Sequence, residues 1–216
     1  MAHTDIVAAV QSGDVATVRT MLQQDPALAS AKDPNGVSAV MHALYAHQAQ
    51  IAELLIAAKP NLDIFEATAA GNQLRASKIL DSDTEAAKCW SADGFTPLHF
   101  AAFFNRAEIA RDLIRRGAEV DAASHNAMNV TPLHSAAAAH SREIVRLLLE
   151  EGASADARQQ GGWTALHAAA QNGDIEMVRD LIQHRADVQA RNDDGKTPAD
   201  IAAEKGHTAV VQMLSK

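Results

Sequence analysis

Thr164-Ala165-Leu166-His167-Ala168-Ala169-Ala170-Gln171-Asn172-Gly173 decides the fold, because its opening phrase returns along the chain. The same pattern stands at Thr96-Pro97-Leu98-His99, at Thr131-Pro132-Leu133-His134 and, altered, at Thr197-Pro198-Ala199-Asp200. From Thr96 onward the threonines are 35, 33 and 33 residues apart. Self-similarity at that period predicts a solenoid of one small unit, stacked so that each copy covers its neighbour's apolar face. Such a stack presents one long surface, which suits binding better than chemistry.

A single unit reads most clearly from Trp163 to Ala190. Thr164 can cap a first helix that turns Leu166, Ala169 and Ala170 inward, and Gly173 ends it because glycine reaches the left-handed conformation without steric cost. Ile175, Val178, Leu181 and Ile182 then recur at helical spacing. Ala186-Asp187-Val188 leads into an extended segment with a turn at Asp193-Asp194-Gly195. Thr-Pro-Leu-His, then Ala-Ala, then Gly, then Gly-Ala-Asp-Val resembles the ankyrin repeat family over essentially the whole chain. The resemblance implies an all-α solenoid of ankyrin repeats, helix–turn–helix units with projecting β-hairpin fingers. It further implies a structural role for His99, His134 and His167, each bonding neighbouring backbone.

Aligning the units on the positions that end their first helices (Gly13, His47, Gly71, Asn105, His140, Gly173 and Gly206) gives about seven repeats including terminal caps. They span approximately 1–36, 37–61, 62–94, 95–129, 130–162, 163–195 and 196–216 of a single domain. Two spacings break the rule. Gly152 to Gly173 and Arg185 to Gly206 are each 21 residues, whereas Lys59 to Gly71 is 12. The finger between units two and three is therefore expected to be missing, with Asp63 and Glu66 forming a capping box that starts the next helix at once. Gly117 to His140 is 23, so the finger at 123–130 is longer and its tip, Asn126 to Asn129, should stand proud. Units one and two are expected to touch the rest through the shortened junction alone, at Pro60–Phe65.

Composition narrows the function. Hydrophobic residues make up 47% but aromatics 4%, so alanine and aliphatic side chains must supply the packing. The net charge of −8 argues against a nucleic-acid footprint, and Arg111, Arg115 and Arg116, beside Glu108 and Asp112, read as a solvated helix face. Cys89 is alone, which removes any intramolecular disulfide and points to an intracellular chain. The opening residues lack a signal-peptide pattern, and no segment approaches the roughly 18 apolar residues of a membrane span. A cytoplasmic monomer is expected, with no membrane and no nucleic acid as partner. No nucleophile–base pair, no metal-ligand spacing and no phosphate-cradling loop occurs, so no catalytic residue, metal or cofactor is expected. Histidines one repeat apart are too distant to share a metal bonded near roughly 2 Å.

The eight aromatic residues are placed selectively. Tyr45, Phe103 and Phe104 fall at the exposed last turn of a first helix, Phe95 and Trp163 follow turn glycines, and Trp90 leads to a finger tip. Phe65 and Phe100 align with inner positions and read as packing residues. The expected partner is another protein, seated on the concave, finger-lined face at Tyr45, Trp90, Phe95, Phe103, Phe104, Met128 and Trp163. Nearly balanced charge at the aligned contact positions points to apolar and hydrogen-bonding recognition. Replacing Phe103 and Phe104 by Ala is expected to weaken that partner by about 2 kcal/mol and to spare stability. The competing reading is local packing beside the shortened unit three. An alternative function is a small-ligand binder or enzyme using the notch left by the missing finger, with Tyr45, Phe65 and Phe103 around it.

Overall fold

A computed structural model describes the backbone of residues 2–215 and the side chains of residues 6–215. Among these, fourteen α-helices pair consecutively: α1 (Ala2–Gln11) with α2 (Val15–Gln24), α3 (Ala39–Tyr45) with α4 (Ala49–Ala58), α5 (Ile64–Ala70) with α6 (Gln73–Ser82), and α7 (Pro97–Phe103) with α8 (Ala107–Arg115). The series continues with α9 (Pro132–Ala138) and α10 (Arg142–Glu150), α11 (Ala165–Asn172) and α12 (Ile175–Gln183), α13 (Pro198–Glu204) and α14 (Thr208–Leu214). Odd-numbered helices stack in one row and even-numbered helices in another, as an α solenoid requires. Among the described residues no strand forms. Each expected hairpin is a tight turn, closed at one finger by Ser91 N–H donating to the Phe95 carbonyl (2.9 Å), because the arms are too short for a ladder.

Capping sets where the inner helices begin. Thr96, Thr131 and Thr164 are each joined to a histidine three residues on in a reciprocal box. Thr96 N–H and its hydroxyl both donate to His99 Nδ1 (3.2 and 2.8 Å), so the ring proton sits on Nε2 and is given to the Val130 carbonyl (2.9 Å). His134 and His167 repeat this toward the carbonyls of Trp163 (3.2 Å) and Lys196 (3.1 Å). Each imidazole thus ties one unit to the finger of the next, the structural role the resemblance implied. In α13, Asp200 closes the box with its carboxylate, accepting from Thr197 N–H at 2.8 Å. Leu98, Leu133 and Leu166 follow the threonines into the interior with essentially no exposure, each contributing roughly 2 kcal/mol of burial.

All seven positions chosen to end the inner helices adopt positive φ, from 54° at His47 and Asn105 to 78° at Gly206. The outer helices end in two ways. Gly117, Gly152 and Arg185 are left-handed, whereas Asp25 and Asp83 stay extended and cap the short 3₁₀ helices Pro26–Ser30 and Thr84–Ala87. Their carboxylates accept from Ala27 and Glu85 N–H at 3.0 Å, so an Asx turn replaces glycine.

The apolar interior is divided. One cluster runs from Ile6 to Leu55 and another from Leu62 to Leu214, with Ile56 against both. α4 and α6 lack the close packing of the other outer neighbours. Asp63 and Glu66 form the expected box at α5, where Asp63 Oδ1 accepts Glu66 N–H (2.9 Å) and Glu66 Oε2 accepts Asp63 N–H (3.1 Å). Glu66, completely buried, also pairs with Lys59 at 2.6 Å.

The expectation that units one and two touch the rest through Pro60–Phe65 alone is corrected. A third cluster, Met41 with Ala69 and Phe100, joins α3 across α5 to α7. Around it pack Val37, Leu44, Tyr45, Phe65, Phe95 and Phe104. With no finger in between, bulky rings from either side meet over the small Ala69.

Candidate functional site

Four positions occupy equivalent places before the turns that end successive inner helices: Tyr45, Ala69, Phe103 and Ala138. Large and small side chains alternate along this row. Tyr45 therefore reaches over Ala69 toward the ring of Phe103 (centroids 6.5 Å apart, edge to face), and Ala138 leaves space on Phe103's other side. The result is a groove of about 470 Å³ on the finger-lined face. Tyr45, Phe95, Phe100, Phe103, Met128 and Val130 form its apolar walls, with Asp93, Ser135 and Gln159 among its polar lining. Phe103 is 39% exposed and Met128 45% exposed.

The fingers forming the far wall are locked to one another. His125 N–H donates to the Gly94 carbonyl (2.8 Å), Gln160 N–H to that of Met128 (2.9 Å) and Asp193 N–H to that of Gly161 (2.9 Å). Gly94, at φ +84°, has no room for a side chain, since an added Cβ would lie 2.9 Å from the His125 carbonyl carbon. Asn126 reaches back with its side-chain amide to the Asp93 carbonyl oxygen (2.8 Å). A fixed wall of this kind loses little conformational entropy when something docks against it.

The polar groups near the groove are oriented. The Tyr45 hydroxyl donates to Asp93 Oδ2 at 2.6 Å and the Ser91 hydroxyl to Oδ1 at 2.5 Å. Burial, with the adjacent Asp93, pushes the Tyr45 hydroxyl far above its ordinary pKa, so it stays a donor. His99 and His134 contribute carbon edges, because both nitrogens of each ring are committed. Burial lowers the pKa of both rings, that of His99 to about 4.

Four of the seven expected contact residues therefore line one groove: Tyr45, Phe95, Phe103 and Met128. The other three lie elsewhere. Phe104 packs against the bridging Met41, Ala69 and Phe100 cluster. Trp90 stacks on His125 with centroids 3.4 Å apart, and Trp163 leans on His167. Interior packing shares in placing these rings, because Tyr45, Phe95 and Phe104 also knit the two halves of the core. Gln159, Ser135 and Ala138 escaped sequence reasoning, which looked for bulk. The row of equivalent positions was the signal that could have found Ala138.

The notch expected at the missing finger is roofed. An added Cβ on Gly36 would stand 3.0 Å from that of Ala92, so the flanking fingers have closed over the gap. Beneath lies a smaller cavity of about 180 Å³, lined by Lys32, Asp63, Phe65, Trp90, Asp93 and Phe100 among others. Phe65 faces this cavity while Tyr45 and Phe103 face the groove, so the three residues expected to share a notch are split by Phe100 and Asp93.

On the outer helices several charged side chains pair. Arg111 bonds Glu108 and Glu143 (both 2.6 Å), while Arg116 bonds Asp112 (3.1 Å) and Asp81 (2.6 Å). Cys89 donates to the Ala86 carbonyl (3.2 Å), and burial raises its thiol pKa. Among the described residues no three His, Cys, Asp or Glu side chains converge as a metal site. No described helix is long and apolar enough to cross a membrane.

A family profile for ankyrin repeats, in three copies, matches residues 61–159 and again 151–216. The chain belongs to the ankyrin repeat family. No curated protein matches it. Ankyrin repeats are generally protein-interaction modules and typically non-enzymatic scaffolds, and the groove lies on the ankyrin surface built from finger turns and inner-helix ends.

Proposed function

We propose that this chain is an array of about seven ankyrin repeats, terminal caps included, that binds a partner protein on its finger-lined face. On this reading it has no catalytic role, and the contact centres on the groove beside repeat four. One observation carries it: exposed Phe103 and Met128 flank a rigid apolar groove of about 470 Å³, in a chain that hardly uses aromatic residues otherwise. An aromatic anchor site ringed by fixed backbone is where binding energy concentrates at interfaces. Phe95 and Tyr45 add to its apolar walls in this reading. Trp90 and Trp163 lie on the flanking fingers, and Phe104 supports Phe103 from behind, their rings meeting edge to face at 5.1 Å.

The test is affinity purification from the native source, followed by titration of the captured partner against wild-type and Phe103→Ala/Met128→Ala protein. The double variant should lose about 2 kcal/mol or more of affinity and keep its melting temperature. Unchanged affinity would remove the groove from the interface. Phe104→Ala is unsuitable for this purpose, because its ring packs into the bridging cluster and its loss should lower stability.

A second reading, small-ligand binding under the missing finger, draws support from the 180 Å³ cavity at that place. A co-purifying small molecule displaced by Phe65→Trp, which would fill the cavity, would favour it over the first.

A further inference from the structure

We propose that the partner's anchor is a bulky apolar side chain carried beside a lysine or arginine, with Asp93 receiving the positive charge. This rests on the groove reading above and adds the chemistry of its occupant. The groove is walled by carbon, both nitrogens of His99 and of His134 on its lining are bonded to the chain itself, and Ser135 and Gln159 are uncharged. Asp93 is different. Its carboxylate accepts one hydroxyl at each oxygen, from Tyr45 (2.6 Å) and Ser91 (2.5 Å), and has no ion-pair partner within 4.0 Å among the described residues. Lys32, across the smaller cavity that Asp93 also lines, does not pair with it.

Two hydroxyl donors orient an anion without neutralising it, and a carboxylate can accept about four hydrogen bonds. The oxygens of Asp93 therefore keep acceptor capacity on the lining of an apolar groove. A half-buried anion of this kind attracts an ammonium or guanidinium and repels a carboxylate, more strongly than in open water. An arginine there could also lie over the Tyr45 or Phe103 ring. The net charge of −8 acts in the same direction. One such pair, beside an apolar anchor, adds selectivity for the occupant without long-range steering.

The test uses three probes with one apolar body and different heads: phenylbutylammonium, phenylbutanol and phenylbutanoate. Each is titrated into labelled full-length protein, following the Met128 methyl and Phe103 ring resonances. The ammonium should perturb both and bind about fivefold more tightly than the alcohol, with the carboxylate weakest. Asp93→Asn should erase that order. Tyr45→Phe, which removes a donor but keeps the charge, should preserve it. Equal affinity for all three heads at the groove would overturn the Asp93 proposal while leaving the apolar groove standing, as would an order unchanged in Asp93→Asn. No perturbation of the groove by any probe would overturn both. Should Asp93→Asn fail to fold, the order is measured in the wild-type protein at about 0.5 M salt, which screens the general field of the −8 charge but a half-buried pair much less: an order that persists supports Asp93, and one that vanishes overturns it.

Discussion

His99 shows how much one side chain settles. Its Nδ1 accepts from Thr96 and its Nε2–H donates to Val130, so it is simultaneously the cap of α7 and a tie to the next finger. Burial penalises a charged ring and holds the folded pKa at about 4, and a second proton would also put a donor on Nδ1 facing the Thr96 N–H. The unfolded chain, with histidine near its ordinary value of about 6.5, then binds more protons than the folded chain between those two values. Stability should be full above about pH 6.5 and fall as pH drops toward 4, by about 3 kcal/mol for His99 when complete. Urea unfolding at pH 7 and pH 5 checks this. His99→Gln should be less stable at pH 7 yet show a shallower pH slope, and an unaltered slope would contradict the assignment.

At the scale of elements, the junction between α4 and α5 is held by charge where other junctions are held by a finger. Lys59, 10% exposed, pairs with fully buried Glu66, whose second oxygen caps Asp63 N–H. Burial and the nearby Glu66 raise the Asp63 carboxyl, so this end of α5 carries more negative charge than its surroundings accommodate easily. Removing the cation should cost more than the pair's net worth, because Glu66 would be left charged and dry. Lys59→Met is expected to destabilise by about 3 kcal/mol, measured by urea unfolding. A cost below about 0.5 kcal/mol, typical of an ordinary surface change, would show that water reaches the carboxylate.

For the whole molecule, stacking makes stability a sum of units and interfaces, so a divided core should open in two stages. Residues 6–58 have their own apolar cluster, and the aromatic bridge at Met41, Ala69 and Phe100 is what fastens it to the remainder. Amide hydrogen exchange should find α1 to α4 less protected than α7 to α12. Phe104→Ala should widen that difference and lower the melting temperature. Uniform protection across the array would mean the bridge couples the halves fully.

Much of this was legible in residue order alone. The left-handed turn positions, the capping boxes and the missing finger are local, since each depends on a few neighbouring residues whose backbone preferences act within one unit. What Tyr45, Phe95 and Phe104 pack against was not legible, because it depends on which units become neighbours once a finger is absent. The closing of Gly36 onto Ala92 and the split of one expected notch into a groove and a cavity arose in the same way. Residue order therefore determined the units and their register, while the tertiary structure alone decided where rings from units two and four would meet. Contacts across a gap are set by the distances that stacking imposes, and no local preference encodes those.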